Sequence, residues 1–339
     1  MESKKVFSAF ALLLVSGILN ASSVAPLKYA RRCVWENLWL IQSIVAMLVL
    51  PWIVVWATVP DPIGVYRMSG IWPVFLAATF GFGWGIGTLL YIIGVVMVGM
   101  SVSFAIILSL TATLGSLLPL LVIDPHELFS HRGHLLLASL GATVIGIVLC
   151  AYAGTGQIKG ASAIEREHAR RYFWRGIIVC ILAGIFSPML NFAFVFGAHI
   201  TDIAVQSGAK TIWAPNALWA IVLGAAFGPN AVYCVVHLGP NTSLKRFLEA
   251  PSQNLMAGST MGGLLLASII LYGIGAAQMG VWGPSAGWAI NMSTTVFAAT
   301  AWGVVTGEWK NVSRRSYIFL GSDLTAITIS ITLASTSAT

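Results

Sequence analysis

Ten stretches of this 339-residue chain stay apolar for about the length a helix needs to cross a bilayer, with nearly all of the charge confined to the gaps between them. They lie near 6–27, 36–58, 71–97, 101–123, 133–153, 174–197, 211–238, 256–277, 282–305 and 315–335. A hydrocarbon core about 30 Å thick takes roughly 20 helical residues. Water is absent there, so each backbone N–H and C=O must find its partner within the protein, and a continuous apolar run does so as a helix. Composition points the same way: 9% of the residues are charged, where a soluble domain carries about 25%. The reading is an all-α integral membrane protein with ten transmembrane helices.

The first run has a rival reading. Lys4 and Lys5, the apolar Val6–Leu19 and then Ser23-Val24-Ala25 have the layout of a cleavable signal peptide. The apolar character continues to Pro26, however, and a later span echoes the run, so a span is the preferred reading.

A net charge of +7 raises the question of nucleic acid. The 18 Lys and Arg residues follow no stripe or face but sit in short gaps, as charges do that hold helix ends at a cytoplasmic surface. Nucleic acid is therefore no expected partner, and membrane lipid is. Gaps on the side of the N-terminus hold five of these residues, and the opposite gaps hold thirteen. Lys28, Arg31 and Arg32, the segment from Lys159 to Arg175, Lys245 and Arg246, and Lys310, Arg314 and Arg315 make up the larger group. That asymmetry places both termini on the periplasmic side of a bacterial inner membrane. The one long polar connection, 154–173, divides the chain into a first half, 1–153, and a second, 174–339, of five spans each. An odd number of spans per half makes the second half enter from the opposite face, which is an inverted repeat.

Weak internal echoes agree with a duplication. Trp84-Gly85-Ile86-Gly87 returns as Tyr272-Gly273-Ile274-Gly275, and Gly99–Ile106 as Gly283–Ile290. Ser109 and Thr111 fall opposite Ser293 and Thr295 in the same register. Gly17-Ile18 matches Gly184-Ile185, and Asn37-Leu-Trp-Leu-Ile41 matches Asn216-Ala-Leu-Trp-Ala-Ile221. Glycines 81, 83, 85 and 87 form two interleaved pairs four apart, the spacing that lets helix backbones approach closely. Without a strand before them they are no phosphate loop.

Polar side chains inside spans are the candidates for function, because they cost free energy unless paired or wet. Asn20 and Ser22 interrupt the first span, Asn191 the sixth, Asn216 the seventh, and Asn291 and Ser293 the ninth. Ser103, Ser109 and Thr111 line the fourth, while Trp84 and Trp288 lie deep in spans rather than at the interfaces that Trp favours. Neutral amides, hydroxyls and indoles suit an uncharged polyol, whose hydroxyls need donors and acceptors and whose C–H faces stack on rings. Ordinary interhelical hydrogen bonding is the alternative for each. The substrate-binding candidates are Asn20, Trp84, Ser103, Ser109, Asn191, Trp288, Asn291 and Ser293. Two carboxylates stand out as carriers of a coupling proton: Asp323, inside the tenth span, and Glu36, at the start of the second. Glu36 is the preferred one, although a carboxylate there also suits a helix N-terminus. The four cysteines show no metal or redox spacing, and no hydrolase triad or cofactor loop appears, so neither catalysis, a metal nor a cofactor is expected.

These residues resemble the L-rhamnose–proton symporter family of the drug/metabolite transporter superfamily. The likeness rests on Ala25-Pro26-Leu27-Lys28 with the basic run before Trp35-Glu36, on Leu50-Pro51-Trp52, and on Trp84-Gly85-Ile86-Gly87. Gly99-Met100-Ser101, Gly184-Ile185-Phe186-Ser187 and Gly307-Glu308-Trp309-Lys310-Asn311 with Arg314-Arg315 extend it over nearly the whole chain. The chain departs from the family's pattern at Thr88, where an Asn is expected, and across Gly287–Asn291. The resemblance implies ten helices in two inverted five-helix repeats and uptake of a deoxy sugar with protons. It also implies a cavity lined by spans one, three, four, six, eight and nine. A carrier or exporter of another small solute is the alternative. An enzyme would need convergent titratable groups at one depth, and a sensor a soluble signalling domain. Neither is visible.

Overall fold

Each apolar run that can be followed is helical, and the interruptions fall where proline or glycine removes a bond or a side chain. A computed structural model of the chain describes residues 2–29, 35–123, 163–238, 251–279 and 287–307, with isolated positions between 129 and 152 and between 310 and 329. The expected fifth and tenth spans, and Asp323 with them, fall essentially outside the described residues. In chain order the helices are α1 (Glu2–Ser22), α2 (Ala25–Tyr29), α3 (Trp35–Ser43), α4 (Leu50–Thr58), α5 (Pro62–Ser69), α6 (Ile71–Val98) and α7 (Met100–Ile123). After these come α8 (Ala163–Phe186), α9 (Met189–Phe196), α10 (Ala198–Gln206), α11 (Pro215–Leu238), α12 (Pro251–Gln278) and α13 (Trp288–Val305). Six helical stretches among the described residues are long and apolar enough to cross a membrane, and Val102–Gly115 and Ile290–Val305 are shorter apolar ones.

Three stretches differ in detail from the sequence reading. The connection expected over 154–173 is already helical from Ala163. Its Ala, Glu and Arg residues are good helix formers, and Arg171 pairs with Glu167 at 3.2 Å, one turn apart on an exposed face. The sixth span is broken between α8 and α9 at Ser187-Pro188, because Pro188 has no N–H for the carbonyl four residues back. The second span contains a π-helical segment, Ile44–Val49, between α3 and α4. There the Leu50 N–H reaches back five residues to the Val45 carbonyl. Pro51 follows at once; a proline in an α-helix leaves the carbonyl four residues earlier unbonded, and a wider turn absorbs that defect.

The described chain forms two compact units, each drawing on both halves of the sequence. The first comprises residues 1–86 and 189–280. In it α1 lies along α12: Gly275 abuts Leu13 and the Ala9 carbonyl, and the Ser16 hydroxyl donates to the Ser268 carbonyl at 2.8 Å. Gly258 of α12 meets Ile41 and the Leu38 carbonyl, and Gly262 meets Val45 and the Gln42 carbonyl, so α12 and the second span advance in step. The glycine pair Gly81 and Gly85 of α6 packs on the backbone of α11 at Val222 and Ala226. Lipid tails are as apolar as these side chains, so such contacts hold helices together by close packing rather than by the hydrophobic effect.

The second unit comprises residues 87–188 and 281–339. Its centre is α7, packed against α8 and α13. Gly184 of α8 fits against Leu110, and Gly115 of α7 lies beneath the Trp288 indole of α13. Gly87 and Gly94 of α6 rest on the Phe186–Ser187 backbone and on Cys180. Large apolar side chains such as Phe7, Ile71, Trp72 and Val305 are exposed, which suits a surface that meets lipid.

Candidate functional site

In the first unit, buried polar groups gather where α9, α11 and α12 meet. Asn191 of α9 is almost fully buried, and its Oδ1 accepts a hydrogen bond from the Tyr272 hydroxyl at 3.0 Å. Phe194, one turn further along α9, stacks on Trp219 of α11 with ring centroids 5.5 Å apart and planes within 11°. The same phenyl ring lies 5.7 Å from the Tyr272 ring. Trp219 is buried, and its Nε1 has no hydrogen-bond partner. Gly273 sits beside that nitrogen, so that a Cβ there would lie 2.8 Å from Nε1. Asn191 stands out in the sequence as an amide inside an apolar run. Trp219, Phe194 and Tyr272 do not, being apolar or aromatic residues in apolar spans, although Tyr272 stands where the repeated phrase has Trp84.

A second buried cluster joins α3, α6 and α11 in the same unit. The Trp39 indole donates to Asn230 Oδ1 at 2.7 Å, and Asn230 Nδ2 donates to the Gly85 carbonyl at 3.0 Å. The Asn230 amide thus links two helices to its own, and neither polar end is left unbonded. Trp84 is buried one residue before Gly85. Asn216 reaches the Thr58 hydroxyl at 3.1 Å, a bond between helices of the ordinary interhelical kind. Asn20 is half-buried near the end of α1, where its carbonyl accepts from the Ser23 hydroxyl at 2.7 Å.

Glu36 occupies the first turn of α3 and is 8% exposed, with Oε2 buried and lacking a hydrogen-bond partner. Next to it, Trp35 and Tyr233 rings lie 5.9 Å apart, and Tyr233 stacks on His237 at 4.2 Å. A carboxylate in this setting keeps the partial positive charge of the α3 N-terminus.

The second unit holds Ser103, Ser109, Trp288, Asn291 and Ser293. The Ser103 and Ser109 hydroxyls each donate to a carbonyl of their own helix, at 2.6 Å to Gly99 and to Ala105. Thr111 does the same to Ile107 at 2.7 Å. Those protons are committed to the helix, so these oxygens can serve a ligand only as acceptors. Trp288 Nε1 points at the Thr111 carbonyl, 3.4 Å away. Asn291 is buried and takes hydrogen bonds from Thr295 Oγ1 on its carbonyl, at 2.8 Å, and on Oδ1, at 3.3 Å. Ser293 is half-buried.

Long apolar helices packed through glycines, with buried amides, hydroxyls and indoles, define a multi-pass helical membrane protein suited to neutral polar solutes. Among the described residues no three His, Cys, Asp or Glu side chains converge as ligands of a metal would. The chain belongs to the L-rhamnose-proton symport protein family, whose pattern it matches over residues 3–337. It is 25% identical over 327 residues to the L-rhamnose-proton symporter of Salmonella typhi, covering 93% of each chain. To the L-rhamnose-proton symporter of Klebsiella pneumoniae it is 26% identical over 313 residues, covering 89% of each.

Proposed function

We propose that this chain takes up a sugar of the L-rhamnose type together with protons across the cytoplasmic membrane. The observation that carries the reading is the family match over residues 3–337, joined to relatives named for that transport and aligned over about nine-tenths of their length. Buried neutral hydrogen-bonding groups and stacked rings are the chemistry a sugar needs. The substrate would be held by Asn20, Trp84, Ser103, Ser109, Asn191, Trp288, Asn291 and Ser293.

The chain is organised as ten spans in two inverted repeats, 1–153 and 174–339, joined by a cytoplasmic segment, with both termini periplasmic. Two related arrangements support the duplication. Trp39 and Trp219 occupy equivalent places in one echo, and Gly85 and Gly273 in another. Trp39 is linked through Asn230 to Gly85, while Trp219 abuts Gly273 directly. Glu36 carries the proton rather than Asp323; its support is a buried place in the first turn of α3, with Oε2 lacking a hydrogen-bond partner among the described residues.

The test is uptake by proteoliposomes with an imposed pH gradient, offered a panel of radiolabelled sugars. Accumulation of L-rhamnose that collapses with a protonophore is the expected result. Rhamnose uptake that ignores the gradient would remove the proton from the reading. Uptake of a different solute only would remove the sugar.

A further inference from the structure

Each half of the chain has a tryptophan whose N–H is directed toward a glycine of the Gly-Ile-Gly phrase, in one case through an amide and in the other without. In the first half, the Trp39 N–H is bonded to Asn230, which in turn bonds the Gly85 carbonyl. In the second, the corresponding Trp219 N–H faces Gly273 with no amide between them and, among the described residues, no hydrogen-bond partner. A buried N–H without an acceptor costs free energy, and native structures rarely keep one without a use. Local rules that hold in one copy of a repeat and fail in the other mark a place where function overrides packing.

The surroundings of this N–H indicate what would bond it. Phe194 lies parallel to the indole at 5.5 Å, and Tyr272 closes the group at 5.7 Å from Phe194. Beyond them the Tyr272 hydroxyl donates to the Asn191 amide oxygen at 3.0 Å, a neutral phenol–amide pair. No charged side chain belongs to the group. Aromatic faces, an indole donor and a neutral amide–phenol pair match a hexose-sized polyol with an apolar face, and they match neither an ion nor an acid. As it stands the site is closed, because a Cβ on Gly273 would lie only 2.8 Å from Trp219 Nε1. Opening it asks little: α11 and α12 touch at few other points, and the missing side chain at Gly273 leaves only backbone to withdraw.

We infer that Trp219, Phe194, Tyr272 and Asn191 form a sugar subsite in the first unit, closed in this conformation, in which the Trp219 N–H donates to a substrate hydroxyl. The subsite rests on the reading that the substrate is a sugar. It adds α11 to the helices that touch the substrate, beyond those that the family resemblance implies.

The experiment is counterflow of radiolabelled L-rhamnose in proteoliposomes holding the full-length chain, which needs no proton gradient. Trp219→Phe keeps the ring against Phe194 and removes the N–H, and about a tenfold rise in half-saturating concentration is expected, the loss of one buried hydrogen bond. Tyr272→Phe is the second variant, with a similar rise. Trp39→Phe is the control: it loses an N–H already bonded to Asn230, so protein yield falls while half-saturation stays at the wild-type value. Wild-type half-saturation in both Trp219→Phe and Tyr272→Phe would overturn the subsite. An equal rise in Trp39→Phe would also overturn it, by showing a general packing effect. Absence of rhamnose counterflow in the unmodified protein would instead overturn the proposed substrate, and this subsite's ligand with it.

Discussion

Gly85→Ala is the sharpest perturbation the packing allows. A Cβ at Gly85 would stand 2.5 Å from the Ala226 carbonyl oxygen and 2.7 Å from its Cα. Both are backbone atoms, so no rotamer change can relieve the clash. Ordinary contact begins near 3.4 Å, and α6 and α11 would have to part by about 0.9 Å at this level. Overpacking of this kind costs about 1–3 kcal/mol. The same movement stretches the Asn230 bond to the Gly85 carbonyl, now 3.0 Å, at a cost of about 1 kcal/mol. The better helix propensity of alanine returns about 1 kcal/mol. The net loss is about 2 kcal/mol, or an apparent Tm lower by roughly 3 °C for a chain of this size. The assay is thermal loss of the monodisperse peak of detergent-solubilised protein. Gly263→Ala is the comparison, because nothing lies within 4 Å of its added Cβ, and it should hold or slightly raise the apparent Tm. An unchanged Tm in Gly85→Ala would refute the claim that this glycine is present for helix contact.

Glu36→Gln should abolish uphill, pH-driven accumulation while sparing counterflow, since an amide cannot release a proton; the same loss in Asp323→Asn with Glu36→Gln intact would name the other acid. Single-cysteine variants between residues 159 and 171, or beside Arg31 and Arg314, should resist an impermeant maleimide in intact cells, and ready labelling there would invert the topology. Trp84→Phe and Trp288→Phe should each weaken rhamnose transport by several-fold with near-normal expression, and unchanged kinetics in both would leave these rings as packing only.

The spans were legible because burial in lipid demands a long apolar run, and 71–97 or 256–277 can become nothing else in a bilayer. Their breaks were less so. Pro188 is plain in the sequence, yet whether a proline kinks a helix or ends it depends on what bonds the freed carbonyl, and that partner is remote in the chain. The same holds for polar residues. Ser103 and Ser109 are readable as polar groups inside a span, but that each hydroxyl donates within its own helix at 2.6 Å, leaving its oxygen only to accept, is a choice that a residue list does not contain. Asn191 was readable as an intruder in an apolar run, whereas its partner Tyr272 lies 81 residues away. Asn230 stands near a span end, where an amide is commonplace, and its role depends on Trp39, 191 positions earlier. Tyr272 and Trp219 could have been picked out by following the internal echo, which pairs them with Trp84 and Trp39.

The π-helical segment Ile44–Val49 also bears on how this chain compares with its relatives. A π turn accommodates one residue more than the α turn it replaces, so the helical stretch from Trp35 to Thr58 is one residue longer than its path requires. Loss of a single residue here would restore regular winding and leave the residues after Val49 facing as they do now. Trp52 would keep its edge-on contact with Tyr66, 6.2 Å away, and α4 would show α11 the same face. A one-residue gap in regular α-helix would turn all that follows by roughly 100°; in this stretch it would mark only the loss of the π turn, and a sequence with that gap should still pair Trp52 with Tyr66.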